Sequence, residues 1–95
     1  MNELRAHFRE SSRARLAELR AALDALPDAD ALRIVAKHFH AFAGMGGTYG
    51  FPRVSLLGDE AEETAIPLLR DGAMPDATTV ARWRALADEI ERELC

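Results

Sequence analysis

The residues best equipped for chemistry gather between positions 38 and 51, where His38 and His40 precede the run Ala41-Phe42-Ala43-Gly44-Met45-Gly46-Gly47-Thr48-Tyr49-Gly50-Phe51. Neutral imidazole is nucleophilic near pH 7, its unperturbed pKa being about 6.5, and an attacking ring nitrogen needs open access from an exposed flank. Shared metal ligation by the two histidines is excluded by geometry: residues two apart on a helix point about 160° away from each other. No cysteine or third histidine lies nearby, and His7 reads as solvated surface. The glycine run lacks the GxxxxGK[ST] pattern and follows a helix, so it is no nucleotide-phosphate loop. The carboxylates of Asp59-Glu60-Ala61-Glu62-Glu63 read as the solvated face of an amphipathic helix. Glycosidase chemistry on them needs a pocket this chain is too small to enclose.

At about 100° per residue, Leu32, Val35, Ala36, Phe39, Phe42, Ala43 and Gly46 cluster in one direction and form a core-facing stripe. His40 falls about 100° from its centre, on a flank shared with Arg33, Lys37, Gly44 and Gly47. An imidazole with cations and side-chain-free positions beside it stands next to a notch. Three glycines so close together cost a few kcal/mol if the helix runs through them, at roughly 1 kcal/mol each relative to alanine. Three explanations compete: Gly46 admits a neighbouring helix, Gly44 and Gly47 clear space for a partner, or the helix ends and the glycines form a turn. Ile34, nearly opposite the stripe, is either an isolated exposed residue or part of a partner surface.

Four helical segments must hold this strip in place. The first, about Asn2 to Leu26, repeats Leu4, Phe8, Ser12, Leu16, Leu19, Leu23 and Leu26 at three- and four-residue steps and stops at Pro27. Asp28 or Asp30 caps the second. The third begins at Phe51-Pro52, with Val54, Leu57, Ala61 and Ala65 inward, and Pro67 predicts a kink or an end. Asp76 caps the fourth, whose seam is Val80, Trp83, Ala87, Ile90 and Leu94. Short connections between amphipathic helices make neighbours antiparallel, so the expected fold is all-α: an up-down antiparallel four-helix bundle.

The 95 residues allow one domain, 1–95, and no large cleft between domains. Twelve basic against sixteen acidic side chains give a net charge of −4, which disfavours nucleic acid and anionic membrane surfaces as partners. The acidity lies late: residues 41–95 carry five basic and ten acidic side chains. Cys95 alone cannot form a disulfide scaffold, and no apolar stretch reads as a membrane span or secretion signal. The expected setting is the cytoplasm.

The run from His40 to Phe51 resembles the signature of histidine-containing phosphotransfer domains: a histidine, an apolar residue two on, a glycine four on, then small residues leading to a glycine. The preceding RARLAELRAALDAL, the following FPRVSLLGDEAEE and the length are similar to that family as well. The resemblance implies that His40 is the phosphoacceptor and that Gly44 and Gly47 stay small for a docking receiver domain, with Arg33 and Lys37 on the same partner-binding flank. It implies a phosphocarrier that is not itself an enzyme, acting as a monomer. Its partners are response-regulator receivers and a sensor or hybrid histidine kinase, and the receiver's aspartates and Mg²⁺ supply the catalytic groups. No cofactor or metal of its own is implied. Many members place lysine three residues after the histidine; this chain has Ala43, and Lys37, about one turn before His40, is the cation available to stabilise the added charge. Many have serine after the first glycine, where this chain has Met45. The alternative is a helical adaptor or dimerisation module of the same shape that has lost phosphotransfer.

Overall fold

Each helix boundary has a local cause. Asp28 accepts a hydrogen bond from the Ala31 amide (2.9 Å) and starts α2, Ala29–Met45; Asp76 accepts one from the Thr79 amide (2.8 Å) and starts α4, Ala77–Leu94. Pro52 opens α3, Pro52–Asp71, at a position where its missing donor costs nothing, and Gly72 closes it in the left-handed conformation (φ 66°). α1 covers Asn2–Ala25 and ends before Pro27. The computed structural model describes residues 2–95, and among them there is no strand.

The helices form a ring in which α1 meets α2, α2 meets α3, α3 meets α4 and α4 closes on α1, with no backbone contact across either diagonal. The most extensive contact is between α2 and α3. Inside lie Leu19, Leu23, Val35, Phe39, Phe42, Val54, Trp83, Leu86 and Ile90, all fully buried. The Trp83 indole N–H donates to Thr64 Oγ1 (2.8 Å), so its polar edge is satisfied where α3 faces α4. Phe8 of α1 stacks on Tyr49, with ring centroids 5.0 Å apart, and on Phe51. These rings clamp the glycine-rich turn between α2 and α3 against α1. Gly50 has φ 88° in that turn, which a residue with a Cβ adopts only with strain, and the aliphatic stem of Arg5 covers it.

Two sequence expectations are corrected. Of the kink or end expected at Pro67, the end does not occur: α3 continues to Asp71, because Leu68 beyond the proline still packs on the core, while the Glu63 carbonyl that loses its donor belongs to an exposed residue open to water. Leu4 is 55% exposed, since α1 has 24 residues against 17 in α2 and its first turn precedes Phe8, the first buried side chain. Ser12 follows the apolar repeat into the core as expected, and its Oγ has no hydrogen-bond partner there.

A buried hydroxyl without a partner retains its desolvation cost. Ser12→Ala removes that cost and adds helix propensity, so it is expected to stabilise the fold by about 1 kcal/mol. That corresponds to a melting temperature higher by about 4–8 °C for a domain of this size. A melting temperature that fell on this substitution would show that the hydroxyl is satisfied in solution.

Candidate functional site

α2 and α3 run antiparallel in close register, and three successive rungs connect them. At the lowest rung, a Cβ on Gly46 would stand 2.7 Å from the Ser55 amide nitrogen and 2.9 Å from the Phe51 carbonyl oxygen. At the middle rung, a Cβ on Gly58 would stand 2.6 Å from the Ala43 nitrogen and 2.8 Å from the Phe39 carbonyl oxygen. Real Cβ contacts are longer, so both positions need glycine. At the upper rung, the His40 Nδ1–H donates to Glu62 Oε2 at 2.8 Å.

That hydrogen bond fixes the chemistry of the ring. A carboxylate only accepts, so Nδ1 carries a proton, and in the neutral ring the lone pair is on Nε2. No group among the described residues hydrogen-bonds Nε2. The His40 side chain is 77% exposed, whereas that of Glu62 is 15% exposed, held between the helices. The imidazole therefore projects to solvent from a carboxylate that sets its tautomer.

His38 is the opposite case. It is 3% exposed; Arg15 Nη1–H donates to its Nδ1 (3.1 Å) and its Nε2–H donates to Glu18 Oε2 (3.0 Å), which occupies both nitrogens and ties α2 to α1. Burial, and next the adjacent Arg15 guanidinium, push its pKa below the usual histidine value, against a smaller opposing pull from Glu18. The sign for stability follows. Above about pH 6.5 His38 is neutral folded or unfolded; as pH falls from there to the lower folded value, only the unfolded chain takes up this proton and stability drops. Between pH 7.5 and 5.5 the protein is expected to lose more stability in urea denaturation than His38→Gln does, and that variant should keep most of any phosphoryl acceptance. Equal losses in both proteins would remove His38 as the source.

The other flank residues are placed as follows. Gly44 lies in the last turn of α2, four residues after His40, and a Cβ there would meet nothing within 4 Å. Gly47 lies beyond the helix end, donates its amide to Ser55 Oγ (2.7 Å), and would carry a Cβ in ordinary contact with that oxygen at 3.5 Å. The three explanations of the glycines thus divide among them: Gly46 permits a close backbone approach, Gly46 and Gly47 belong to a turn, and Gly44 meets no need of the fold. Arg33 is exposed, pairs with Asp30, and lines a small hollow with Leu69 and Met74. Lys37 is exposed and lines the groove between α1 and α2 beside Ile34 and His38.

Reading the acidic run of α3 as wholly solvated needs correction at one residue. Asp59 and Glu63 are exposed and Glu60 pairs with Arg82 of α4, but Glu62 is drawn in against His40. A signal was available: on the α3 wheel Glu62 lies about 95° from the inward residues, on the same flank as Gly58. Asp59 and Glu63 lie nearly opposite those residues.

A family model described as the Hpt domain matches residues 3–93. The chain belongs to the Hpt family. No curated protein and no solved structure matches it. Hpt domains are phosphocarrier modules of phosphorelays, not catalysts in themselves, and their partners in general are receiver domains and kinases. The four-helix architecture is the one expected of an Hpt domain. Among the described residues no helix is long and apolar enough to cross a membrane.

Proposed function

We propose that His40 is the phosphoacceptor of this Hpt domain, taking a phosphoryl group from a receiver aspartate or a histidine kinase and passing it to another receiver. The observation that carries the reading is the exposed imidazole whose Nδ1–H is held by Glu62 while Nε2 is unengaged. The Nε2 lone pair attacks phosphorus as the bond to the leaving group breaks. When the donor is an aspartyl phosphate, the departing electron pair returns to the receiver's carboxylate. The ring, now substituted at Nε2 and protonated at Nδ1, is cationic, and the Glu62 carboxylate faces that charge. The reverse sequence hands the group to the next aspartate.

The surroundings suit a docking partner. Gly44 gives up roughly 1 kcal/mol of helix stability relative to alanine without filling any gap in the bundle, so its smallness serves something outside the bundle. We assign Gly44 and Gly47 to the receiver contact, with Arg33 at its edge toward α3 and Lys37 at its edge toward α1. Lys37 is the cation one turn from His40 that offsets the added phosphoryl charge. The domain acts as a monomeric, cytoplasmic carrier, and the receiver brings the metal and the acidic residues that stabilise the transferring group.

The test is incubation with a panel of phosphorylated receiver domains and with a small phosphoramidate donor, followed by an assay for phosphate that is labile to acid and stable to base. Labelling with that profile is expected. Absence of label from every donor, with the protein folded, would leave the chain a docking module only.

A further inference from the structure

We infer that Gly58, far from the solvent edge of the site, is a positioning residue for His40, because the close helix crossing it permits is what places Glu62 on the imidazole. The inference rests on the reading of His40 as phosphoacceptor and names the part of the fold that tunes it.

The argument begins with the crossing point. The absent side chain of Gly58 lets α3 lie directly on the backbone of α2: the position of a Cβ is 2.6 Å from the nitrogen and 3.0 Å from the Cα of Ala43, and 2.8 Å from the carbonyl oxygen of Phe39. Those three atoms belong to the backbone immediately before His40 and one turn after it. They cannot swing aside as the end of a flexible side chain would. On α3, Glu62 is four residues beyond Gly58 and so stands one turn above it on the same side. His40 and Glu62 are thus the first pair of side chains above the tightest approach of the two helices.

Glu62 records that closeness. Its neighbours Asp59 and Glu63 are open to solvent, but its own carboxylate is largely enclosed and reaches Nδ1 at 2.8 Å. An alanine at 58 must relieve contacts of 2.6–3.0 Å to about 3.5 Å, the usual separation of non-bonded carbon atoms, which moves the helices apart by on the order of 1 Å. A hydrogen bond at 2.8 Å stretched by that amount is no longer one. The imidazole then loses its fixed tautomer, and Nε2 carries the proton for part of the time instead of the lone pair that attacks phosphorus.

Simple packing and positioning predict different results for a double-mutant cycle. The rate of acceptance from phosphoramidate, a donor too small to involve docking, is measured for Gly58→Ala, Glu62→Ala and the double variant. The Nδ1 and Nε2 signals of ¹⁵N-labelled His40 are recorded for each protein below its melting temperature. If Gly58 acts through Glu62, Gly58→Ala slows acceptance by about ten- to a hundredfold in the natural background and by less than about twofold where Glu62 is already alanine. It also shifts the ¹⁵N spectrum away from a single Nδ1–H tautomer. The same slowing in both backgrounds, or an unaltered ¹⁵N spectrum, overturns the inference and leaves Gly58 a packing residue.

Glu62→Asp covers the case in which Gly58→Ala does not fold. It withdraws the carboxylate by about 1.5 Å, one carbon–carbon bond, without touching the crossing, and should slow acceptance and change the ¹⁵N spectrum at an unchanged melting temperature. Acceptance at the natural rate in Glu62→Asp overturns the inference too. If the unsubstituted protein accepts no phosphoryl group, the functional reading fails by itself, while the ¹⁵N spectra still decide whether Gly58 places Glu62.

Discussion

Replacing His40 by glutamine is expected to reduce phosphoryl acceptance to background while leaving the bundle folded. Glutamine is chosen because its amide N–H can still donate to Glu62, so the largely enclosed carboxylate keeps a partner, while the nucleophilic lone pair is gone. The side chain is mostly exposed and contributes no buried apolar surface. Stability should therefore change by less than about 0.5 kcal/mol, the usual range for surface positions. Acid-labile label after incubation with a phosphorylated receiver, read beside a urea denaturation curve, separates the two effects. Label retained on the folded His40→Gln protein would move the acceptor elsewhere, and His38, with both ring nitrogens engaged in a buried network, is poorly placed to inherit the role.

The second large effect is expected from neighbouring glycines that the fold treats differently. Gly46→Leu drives a side chain into the Ser55 amide and the Phe51 carbonyl, both backbone groups at the start of α3. The whole α2–α3 turn must shift, breaking the 2.7 Å hydrogen bond from the Phe51 amide to the Gly46 carbonyl. The cost is expected at the upper end of overpacking, about 3 kcal/mol, which lowers the melting temperature by about 12–24 °C. Any loss of phosphoryl transfer should track the unfolded fraction. Gly47→Leu meets only the Ser55 hydroxyl at ordinary distance, so its melting temperature should stay close to that of the parent. Because Gly47 lies past the end of α2, no helix-propensity gain offsets or masks the result. Transfer from a receiver is expected to slow at least about tenfold in Gly47→Leu, while acceptance from phosphoramidate is unaffected. A Gly47→Leu protein that exchanges with receivers at the parent rate would show that this glycine serves the turn alone.

Much of this arrangement is legible in the sequence. The heptad-like repeats, the capping Asp28 and Asp76 and the proline at the start of α3 carry local signals strong enough to define four helices, and the wheel of α2 placed His40 on a flank. What the sequence withheld depends on contact between helices. Whether Asp59, Glu62 or Glu63 meets the histidine is decided by the rotation and depth of α3 against α2, and a single chain's periodicity does not encode depth. Gly58 shows the difficulty: a lone glycine within a helical pattern reads only as a weak point until its neighbour proves to be bare backbone. Pro67 shows the opposite case, since the helix end its local penalty allows is outweighed by packing beyond it. Ser12 passed as a seam residue because periodicity records position and not whether a hydroxyl finds a partner.

The seams of the ring are unequal, and this distributes compliance around the molecule. α1 and α4 are bridged by Arg20 to Asp88 and Glu91 and by Arg84 to Asp24, pairs that lie at the surface and weaken as ions are added to the solution. α2 and α3 are joined by backbone lying on backbone, which added salt does not loosen. Added salt is thus expected to weaken the edge opposite the imidazole first. His40 and Glu62 sit on the seam that salt does not loosen, so the 2.8 Å separation between them is expected to hold as ionic strength rises.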